Sequence, residues 1–384
     1  MKKIIVAIIL ASLLCGCTPT PAESSNTEST EQIEIRLLVP EDDDFEKIVK
    51  EYRKQNPNTT VTVLETDDDD NFQLSAKALL SSKNAPTIIL TETKYLTEFE
   101  EYAEDLSGEP WVNNAFPNTL GEASREGKLI AMPADIEGIG FVYNKEIFEY
   151  AKINPENINS FDRLVETVEH LAGKLDKLKK QFPNLVAVFE SPNEQTERYL
   201  LNSALSQEFQ SGNELLENTA ELTFAEGYNR LFDLMQNYGK SADLTDGETI
   251  IALKNHKSVD EDTVDKFSLM PVPVVDASQD SVIIRVSNFW IVNKNAEKKE
   301  ITAAKKFLSW MYTSKECQPL VAEELEFLSP LDSTEKLPEN PLSKSVRKFA
   351  ISGKTMPYIL DAIDEEKYTK LKTDIEIKGN KTPF

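Results

Sequence analysis

The strongest constraint on the fold is an alternation of strand-like and helix-like segments near the start of the chain. Residues 33–39 alternate weakly between apolar and polar side chains, residues 60–64 are rich in β-branched side chains, and residues 86–90 form a third apolar run. Two segments with helical spacing of apolar residues separate these strands, at residues 45–52 and 72–80. A β-α-β-α-β order predicts a mostly parallel sheet with helices on both faces, so we expect an α/β protein.

The remainder of the chain continues the same mixture of elements. Ser160 is a good N-cap for one long helix. The predicted buried stripe of that helix consists of Phe161, Leu164, Val165, Val168, Leu171, Leu175 and Leu178. Further strands are predicted at residues 139–143, 185–189, 267–275 and 281–292, and a further helix at residues 301–312. About 350 residues of this kind are long for one domain and comfortable for two.

The N-terminus has the pattern of an export signal. Two lysines precede an uncharged, mostly apolar run at residues 4–14, which is shorter than a membrane-spanning helix. Cys17, unlike Cys15, follows a small residue, as a lipoprotein signal peptidase requires. We therefore expect residues 1–17 to be a lipoprotein signal peptide with Cys17 as the lipidated site, and residues 18–32 to be a flexible tether. The alternative is an ordinary secretory signal with incidental cysteines.

The chemistry that the sequence lacks argues against several functions. Asp and Glu number 66 against 42 Lys and Arg, and the net charge of -24 disfavours nucleic-acid binding, which relies on basic side chains. His170 is predicted on the polar side of a helix and His256 in a charged loop, and neither has the neighbours of a triad or a metal site. Cys317 stands alone after the signal, so no Cys/His zinc cluster is expected. We expect no catalytic residue, no metal and no cofactor.

A longer motif points to a family. Residues 127–148 read GKLIAMPADIEGIGFVYNKEIF, residues 286–296 read VSNFWIVNKNA, and residues 351–357 read ISGKTMP. These stretches, in this order, resemble the family-1 extracellular solute-binding proteins of ABC importers, and among them the maltose and maltodextrin-binding proteins. The first motif is moderately specific, and the other two support it by their order and spacing.

The resemblance implies a two-lobed, periplasmic-binding-protein-like (type II) clamshell with hinge strands. The first lobe would comprise residues 33–135 plus 284–314, and the second residues 136–283 plus 315–384. In such a fold the ligand lies in the cleft at the carboxyl ends of the strands. Binding stabilises the closed form because the ligand touches both lobes only there.

Several acidic residues are candidates for ligand binding. Glu137 matches, by its position after Gly127-Lys128, a carboxylate that binds sugar hydroxyls in the maltose-binding relatives, and a carboxylate accepts two hydroxyl hydrogen bonds. Asp135 shares this crossing but is expected to point away from the ligand. Glu190 ends a predicted buried strand and approximately matches another sugar-binding carboxylate. Three acidic residues follow the first strand, and at least one is expected to face the ligand; they are Asp42, Asp43 and Asp44.

The aromatic candidates and the departures from the family concern the size of the ligand. Asn288 and Trp290 lie at the second crossing, where the Trp290 ring packs either on a sugar or in the core. Glu92 lies in a stretch where the relatives carry a sugar-stacking Trp, and Tyr358 follows Met-Pro where maltodextrin binders have an aromatic cluster. A long glucose chain is therefore disfavoured, and a smaller, more polar or cationic ligand stays open.

Together these features predict a lipid-anchored receptor on the extracytoplasmic face of the cell membrane. We expect a monomer, palmitoylated at Cys17, that delivers a sugar or oligosaccharide to the permease subunits of an ABC importer. Two alternatives stay open: a clamshell receptor for a polyamine or another polar or cationic solute, and a sensor without transport. A lipid-anchored hydrolase is disfavoured because no nucleophile motif stands out.

Overall fold

The computed structural model describes residues 32–40, 45–66, 72–217, 225–259, 264–274 and 280–379. Its strands are β1 Ile33–Pro40, β2 Thr59–Thr66, β3 Ile88–Glu92, β4 Ser124–Arg125, β5 Lys128–Leu129, β6 Met132–Pro133, β7 Glu137–Asn144, β8 Phe189–Glu190, β9 Gly239–Lys240, β10 Ile251–Asn255, β11 Phe267–Met270, β12 Val282–Arg285, β13 Asn288–Val292 and β14 Thr355–Pro357.

Its α-helices are α1 Glu46–Gln55, α2 Phe72–Leu80, α3 Leu96–Phe99, α4 Lys145–Ala151, α5 Phe161–Gly173, α6 Leu175–Gln181, α7 Glu194–Leu205, α8 Gly212–Glu217, α9 Ala225–Tyr238, α10 Lys298–Thr313, α11 Gln318–Glu323, α12 Pro341–Ile351 and α13 Glu365–Gly379. Single turns of 3-10 helix also occur, among them Thr93–Tyr95, Gly121–Ala123, His256–Ser258 and Leu360–Ala362.

The first sheet has the strand order β2-β1-β3-β13-β6. Strand β1 pairs in parallel with both β2 and β3, which confirms the predicted parallel β-α-β-α-β unit. Strand β13 runs antiparallel to β3 and β6. Helix α1 ends at Gln55, and the backbone N–H of the following residue, Asn56, donates to the carbonyl oxygen of Tyr52.

The second sheet has the order β14-β12-β7-β10-β8-β9, with β11 also paired to β7. Strand β10 covers one edge of β7, while β12 and β11 share the other edge. Two core clusters accompany the sheets. One cluster contains the buried side chains of the first sheet and reaches one face of the second sheet through residues such as Val142 and Ile284. The other cluster packs on the opposite face of the second sheet.

Two predicted elements are divided in the structure. The long helix after Ser160 breaks at Lys174 into α5 and α6, because Gly173 weakens the helix and Lys174 adopts a non-helical backbone. Ser160 caps α5 as predicted, since its hydroxyl accepts a hydrogen bond from Arg163 N at 3.3 Å. The apolar run at residues 281–292 also divides, into β12 in the second sheet and β13 in the first.

The chain therefore crosses between the sheets at residues 134–136 and again at residues 286–287. The limits predicted for the two lobes stay a prediction. Residues 1–31 and 41–44, which include Cys17 and the three candidates Asp42, Asp43 and Asp44, lie outside the described residues.

Candidate functional site

The carboxyl ends of strands from both sheets meet around one small cavity. Strand β3 of the first sheet ends at Glu92, and β12 of the second sheet ends at Arg285. The cavity measures about 250 Å³. It is lined by Glu92, Thr93, Lys94, Gln195, Arg198, Arg285, Ser287, Tyr358, Leu360 and Asp361. This edge is where open α/β sheets generally bind their ligands.

Glu137 lies next to this cavity and is held by a hydrogen-bond network. It begins β7 opposite Arg285 in the register, and its side chain is 13% exposed. Its Oε2 accepts hydrogen bonds from Asn255 Nδ2 at 2.7 Å and from an Arg285 guanidinium nitrogen at 3.3 Å. Ser287 Oγ lies 3.4 Å from its Oε1. The carboxylate is thus oriented by three side chains and still partly open to water.

Arg285 links Glu137 to the far wall of the cavity. Its guanidinium donates to both carboxylate oxygens of Asp361, at 2.6 and 3.0 Å, and lies 5.4 Å from the centre of the Tyr358 ring. Burial alone would lower the pKa of Arg285, but the hydrogen bonds and attraction to Asp361 outweigh it and raise that pKa. Burial raises the pKa of Asp361, and Arg285 opposes this shift. The guanidinium is therefore permanently charged and fixed in direction.

The other charged side chains of the cavity also have partners. Glu92 pairs with Lys94 at 2.8 Å. Arg198 contacts Glu365 and Glu194, and its guanidinium stacks 3.9 Å from the centre of the Tyr368 ring. The cavity is therefore polar, and its lining charges are largely balanced within the protein.

Asp135 occupies a different environment from Glu137, although it belongs to the same crossing. It is 1% exposed, its Oδ1 accepts from Leu328 N at 2.6 Å, and its Oδ2 accepts from Lys257 Nζ at 2.6 Å. Burial raises the pKa of Asp135 to about 6, although Lys257 and the Leu328 amide oppose the shift. Its oxygens are used within the protein.

The segment after β10 contacts this crossing with three consecutive residues. Asn255 donates to Glu137, His256 accepts from Gly138 N at 3.1 Å through Nδ1, and Lys257 donates to Asp135. The charged loop predicted at His256 corresponds to the 3-10 turn His256–Ser258 after β10, and the His256 side chain is 1% exposed. Burial, and to a smaller extent the positive charge of Lys257, lowers the pKa of His256 to about 3, so the imidazole is neutral.

Trp290 is the clearest correction among the predicted ligand-binding residues. It is fully buried, its indole N–H donates to the Tyr312 hydroxyl at 2.8 Å, and its ring meets Phe45 edge-on at 5.7 Å. The ring offers no face to the cleft, because core side chains enclose it. Of the two environments open for this residue, the core is the one observed.

The remaining predicted residues are spread along the same edge. Glu92 and Tyr358 line the cavity, and half-buried Asn288 lies beside it, paired with Glu92 in the register. Glu190 is outside the lining. It ends β8 and forms an ion pair with Lys254 at 3.1 Å, and Asp243 lies 3.6 Å from the same ammonium.

Sequence reasoning missed most of the basic and amide side chains of the site, and one of its carboxylates. The missed residues are Lys94, Gln195, Arg198, Asn255, Arg285 and Asp361. Arg285 was detectable, because it interrupts an otherwise apolar strand at its carboxyl end. Its partner Asp361 lies 76 residues away, and no local pattern connects the two.

The described part of the chain lacks two features. Within the described ranges, no helix is long and apolar enough to cross a membrane. Among the same residues, no group of three or more His, Cys, Asp and Glu side chains could hold a metal ion.

Comparison with known families and structures gives a consistent result. Residues 39–316 match the profile of a family described as bacterial extracellular solute-binding protein. No match is found among curated protein sequences. A family 1 extracellular solute-binding protein from Bifidobacterium longum subsp. infantis has a TM-score of 0.69 at 18% identity, with 92% of this chain and 96% of that chain covered.

Three structures of two further proteins are also similar. The apo form of RafE from Streptococcus pneumoniae has a TM-score of 0.67 at 14% identity, with 91% of this chain and 94% of that chain covered. RafE in complex with raffinose has a TM-score of 0.56 at 12% identity, with 90% of this chain and 94% of that chain covered. A sugar transporter from Bacillus licheniformis in complex with stachyose has 0.54 at 19%, covering 91% and 96%. The predicted fold class, a two-lobed α/β clamshell of type II, is confirmed.

Proposed function

The chain belongs to the bacterial extracellular solute-binding proteins, and we propose that it captures a neutral, hydroxyl-rich ligand, a sugar or oligosaccharide, for an ABC importer. The ligand would lie in the cleft beside Glu137, touching both lobes, and closure about the two crossings would present the loaded receptor to the permease. The function is binding, with no chemical step assigned to any residue.

The observation that carries the proposal is the internal balance of charge around the cavity. Glu92 is paired with Lys94, and Asp361 with Arg285. Glu137 also contacts Arg285. A polyamine would need carboxylates without a basic partner, and these three each have one. A neutral polyol suits the arrangement, because fixed acceptors and donors can bind hydroxyl groups without adding a net charge.

The similar structures point in the same direction. Stachyose is bound in the Bacillus licheniformis protein, and raffinose in RafE. We extend this ligand class to the present chain as part of the proposal. A small cavity of about 250 Å³ without an exposed Trp suits a short oligosaccharide better than a long glucose chain.

The proposed ligand contacts follow from the geometry of the network. Glu137 would accept hydroxyl hydrogen bonds, and Gln195 and Ser287 would supply further polar contacts. Glu92, Asn288 and an aspartate of residues 42–44 stay candidates at the same edge. Tyr358 is largely buried, so only its edge would meet the ligand.

The cellular setting is part of the same proposal. The chain would be exported, lipid-anchored at Cys17 in the cell membrane, and tethered by residues 18–32. It would act as a monomer, with lobes of residues 33–135 plus 284–314 and 136–283 plus 315–384. Its partners would be the permease subunits and the ligand.

A thermal-shift screen tests the ligand class. Raffinose and stachyose are compared with spermidine as the cationic control, each over a wide concentration range. A true ligand at about 100 times its Kd adds roughly 2.7 kcal/mol of stability and raises the melting temperature by a few degrees. We expect a shift with a neutral sugar and none with spermidine; a shift with spermidine alone would contradict the proposal.

A further inference from the structure

A buried carboxyl group that is not among the proposed ligand contacts lies where segments of the two core clusters meet. Glu122 lies in the 3-10 turn Gly121–Ala123 and is 8% exposed. Its Oε1 accepts a hydrogen bond from Gly212 N at 2.6 Å. Ala123 belongs to the first core cluster, whereas Phe209 and Leu215, on either side of Gly212, belong to the second.

The approach of the two segments is close. A Cβ atom at Gly121 would lie 2.9 Å from the carbonyl oxygen of Gln210. Gly212 is also packed against the 3-10 turn Leu360–Ala362, where its own Cβ atom would lie 2.6 Å from Ala362 Cβ. Nearby, Asn118 Nδ2 donates to the carbonyl oxygen of Thr355 at 2.8 Å. This contact surface excludes water from the Glu122 carboxyl group.

The hydrogen bonding of Glu122 is incomplete. Its Oε2 is buried without a hydrogen-bond partner. Two charged groups influence the Glu122 carboxyl electrostatically. Arg125, which favours the ionised form, donates a hydrogen bond to the backbone carbonyl oxygen of Glu122 at 2.7 Å. Asp361, in the 3-10 turn Leu360–Ala362, disfavours the ionised form. An ionised carboxylate in this position loses its hydrating water and receives only one hydrogen bond in return, from a backbone N–H. Burial therefore favours the protonated form of Glu122 over the ionised form.

We propose that the contact between Glu122 and Gly212 is a proton-linked latch: the lobes keep the arrangement described here while Glu122 holds a proton, and the contact separates as the carboxyl group ionises. The inference rests on the proposed two-lobe movement and adds a means of regulating it. It assigns no contact with the ligand to Glu122.

The direction of the pH effect follows from linkage. Burial raises the pKa of Glu122 from its ordinary value of 4.5 to about 7, with Gly212 N–H and Arg125 opposing and Asp361 adding to the shift. Forming the contact therefore takes up a proton between these two values. Across that window the ratio of latched to unlatched protein falls by up to about tenfold for each unit of rising pH, and it is constant above and below it.

The test measures the distance between the lobes in ligand-free, full-length protein. Nitroxide labels are placed by Leu74→Cys and Val186→Cys, both at exposed positions, with Cys15→Ser and Cys17→Ser. Cys317 is fully buried and burial raises its pKa to about 12, so it stays unlabelled. Distance distributions are recorded at pH 5 and pH 8 by pulsed electron spin resonance.

We expect one distribution at pH 5 and a shift toward a second at pH 8. Glu122→Gln, which mimics the protonated group, should keep the pH 5 distribution at both values, whereas Glu101→Gln, an exposed acid nearby, should follow the wild type. Identical wild-type distributions at the two pH values, or a shift retained in Glu122→Gln, would overturn the latch. Since no ligand is present, failure of every sugar to bind bears on the proposed function and not on the latch.

Discussion

Asp135 and Glu137 are carboxylates of one crossing segment with contrasting surroundings. Asp135 is almost fully buried, and both of its oxygens are bound by Lys257 and a backbone amide. Glu137 is partly exposed beside a polar cavity, where its partners leave room for further donors. In a regular strand, residues two apart would share a face. Here β7 begins only at Glu137, so the preceding irregular residues place the two carboxylates in different surroundings: Asp135 binds groups within the protein, and Glu137 is the one proposed to bind ligand.

The largest expected effect is a loss of folding stability at low pH. It arises from His256, in the segment after β10 that binds both carboxylates. His256 is neutral in the folded protein with a pKa of about 3, against an ordinary value of 6.5. Below pH 6.5 the unfolded chain takes up a proton that the folded protein refuses, so stability is lost as pH falls. The loss is at most about 1.4 kcal/mol per pH unit, or roughly 3 kcal/mol between pH 6.5 and 4.

His256→Asn isolates this contribution. The amide oxygen of Asn can still accept from Gly138 N but does not titrate over this range. The free energy of unfolding, measured by urea titration at several pH values, should fall less steeply on acidification in His256→Asn than in the wild type. Parallel pH profiles for the two proteins would show that His256 is not held neutral.

Asp135→Ala should separate stability from binding. The change leaves the buried Leu328 amide without its acceptor and Lys257 without its counter-ion, and we expect a loss of about 3 kcal/mol in unfolding free energy. Glu137→Ala is the matched variant and should lose less, about 1 kcal/mol, because Asn255 loses an acceptor while Arg285 keeps both of its hydrogen bonds to Asp361. Equal losses in urea titrations would remove the distinction between the two carboxylates.

The parts of the fold that could be predicted are those with a local signal. The spacing of Ile48 and Tyr52 on α1, the parallel unit of β1 to β3, and the Ser160 cap all follow from short-range patterns. The change of sheet at residues 286–287 was expected only from the family resemblance, because β12 and β13 are both mostly buried and follow each other in one largely apolar run.

The site was less predictable than the fold for a physical reason. Glu137 could be proposed because a family motif surrounds it, whereas its partners Arg285 and Asn255 come from distant strands and are joined to it by hydrogen bonds alone. Trp290 illustrates the converse. Its sequence position suited a ligand-stacking role, yet a hydrogen bond to Tyr312 and packing against Phe45 fix it in the core.

The most direct test of the proposed binding site is calorimetric titration of the sugar identified in the thermal-shift screen. Wild type is compared with Glu137→Ala and Glu137→Gln, and with Glu190→Gln as control, because Glu190 is paired with Lys254 whereas Glu137 contacts Arg285 and Ser287 of the cavity lining. Loss of a charge-assisted acceptor should cost Glu137→Ala roughly 1.5–3 kcal/mol, about ten- to a hundred-fold in Kd. Glu137→Gln keeps an acceptor and should lose less, and Glu190→Gln should bind as the wild type does. Wild-type affinity in both Glu137 variants would contradict the account, because the carboxylate would then face water and not the ligand.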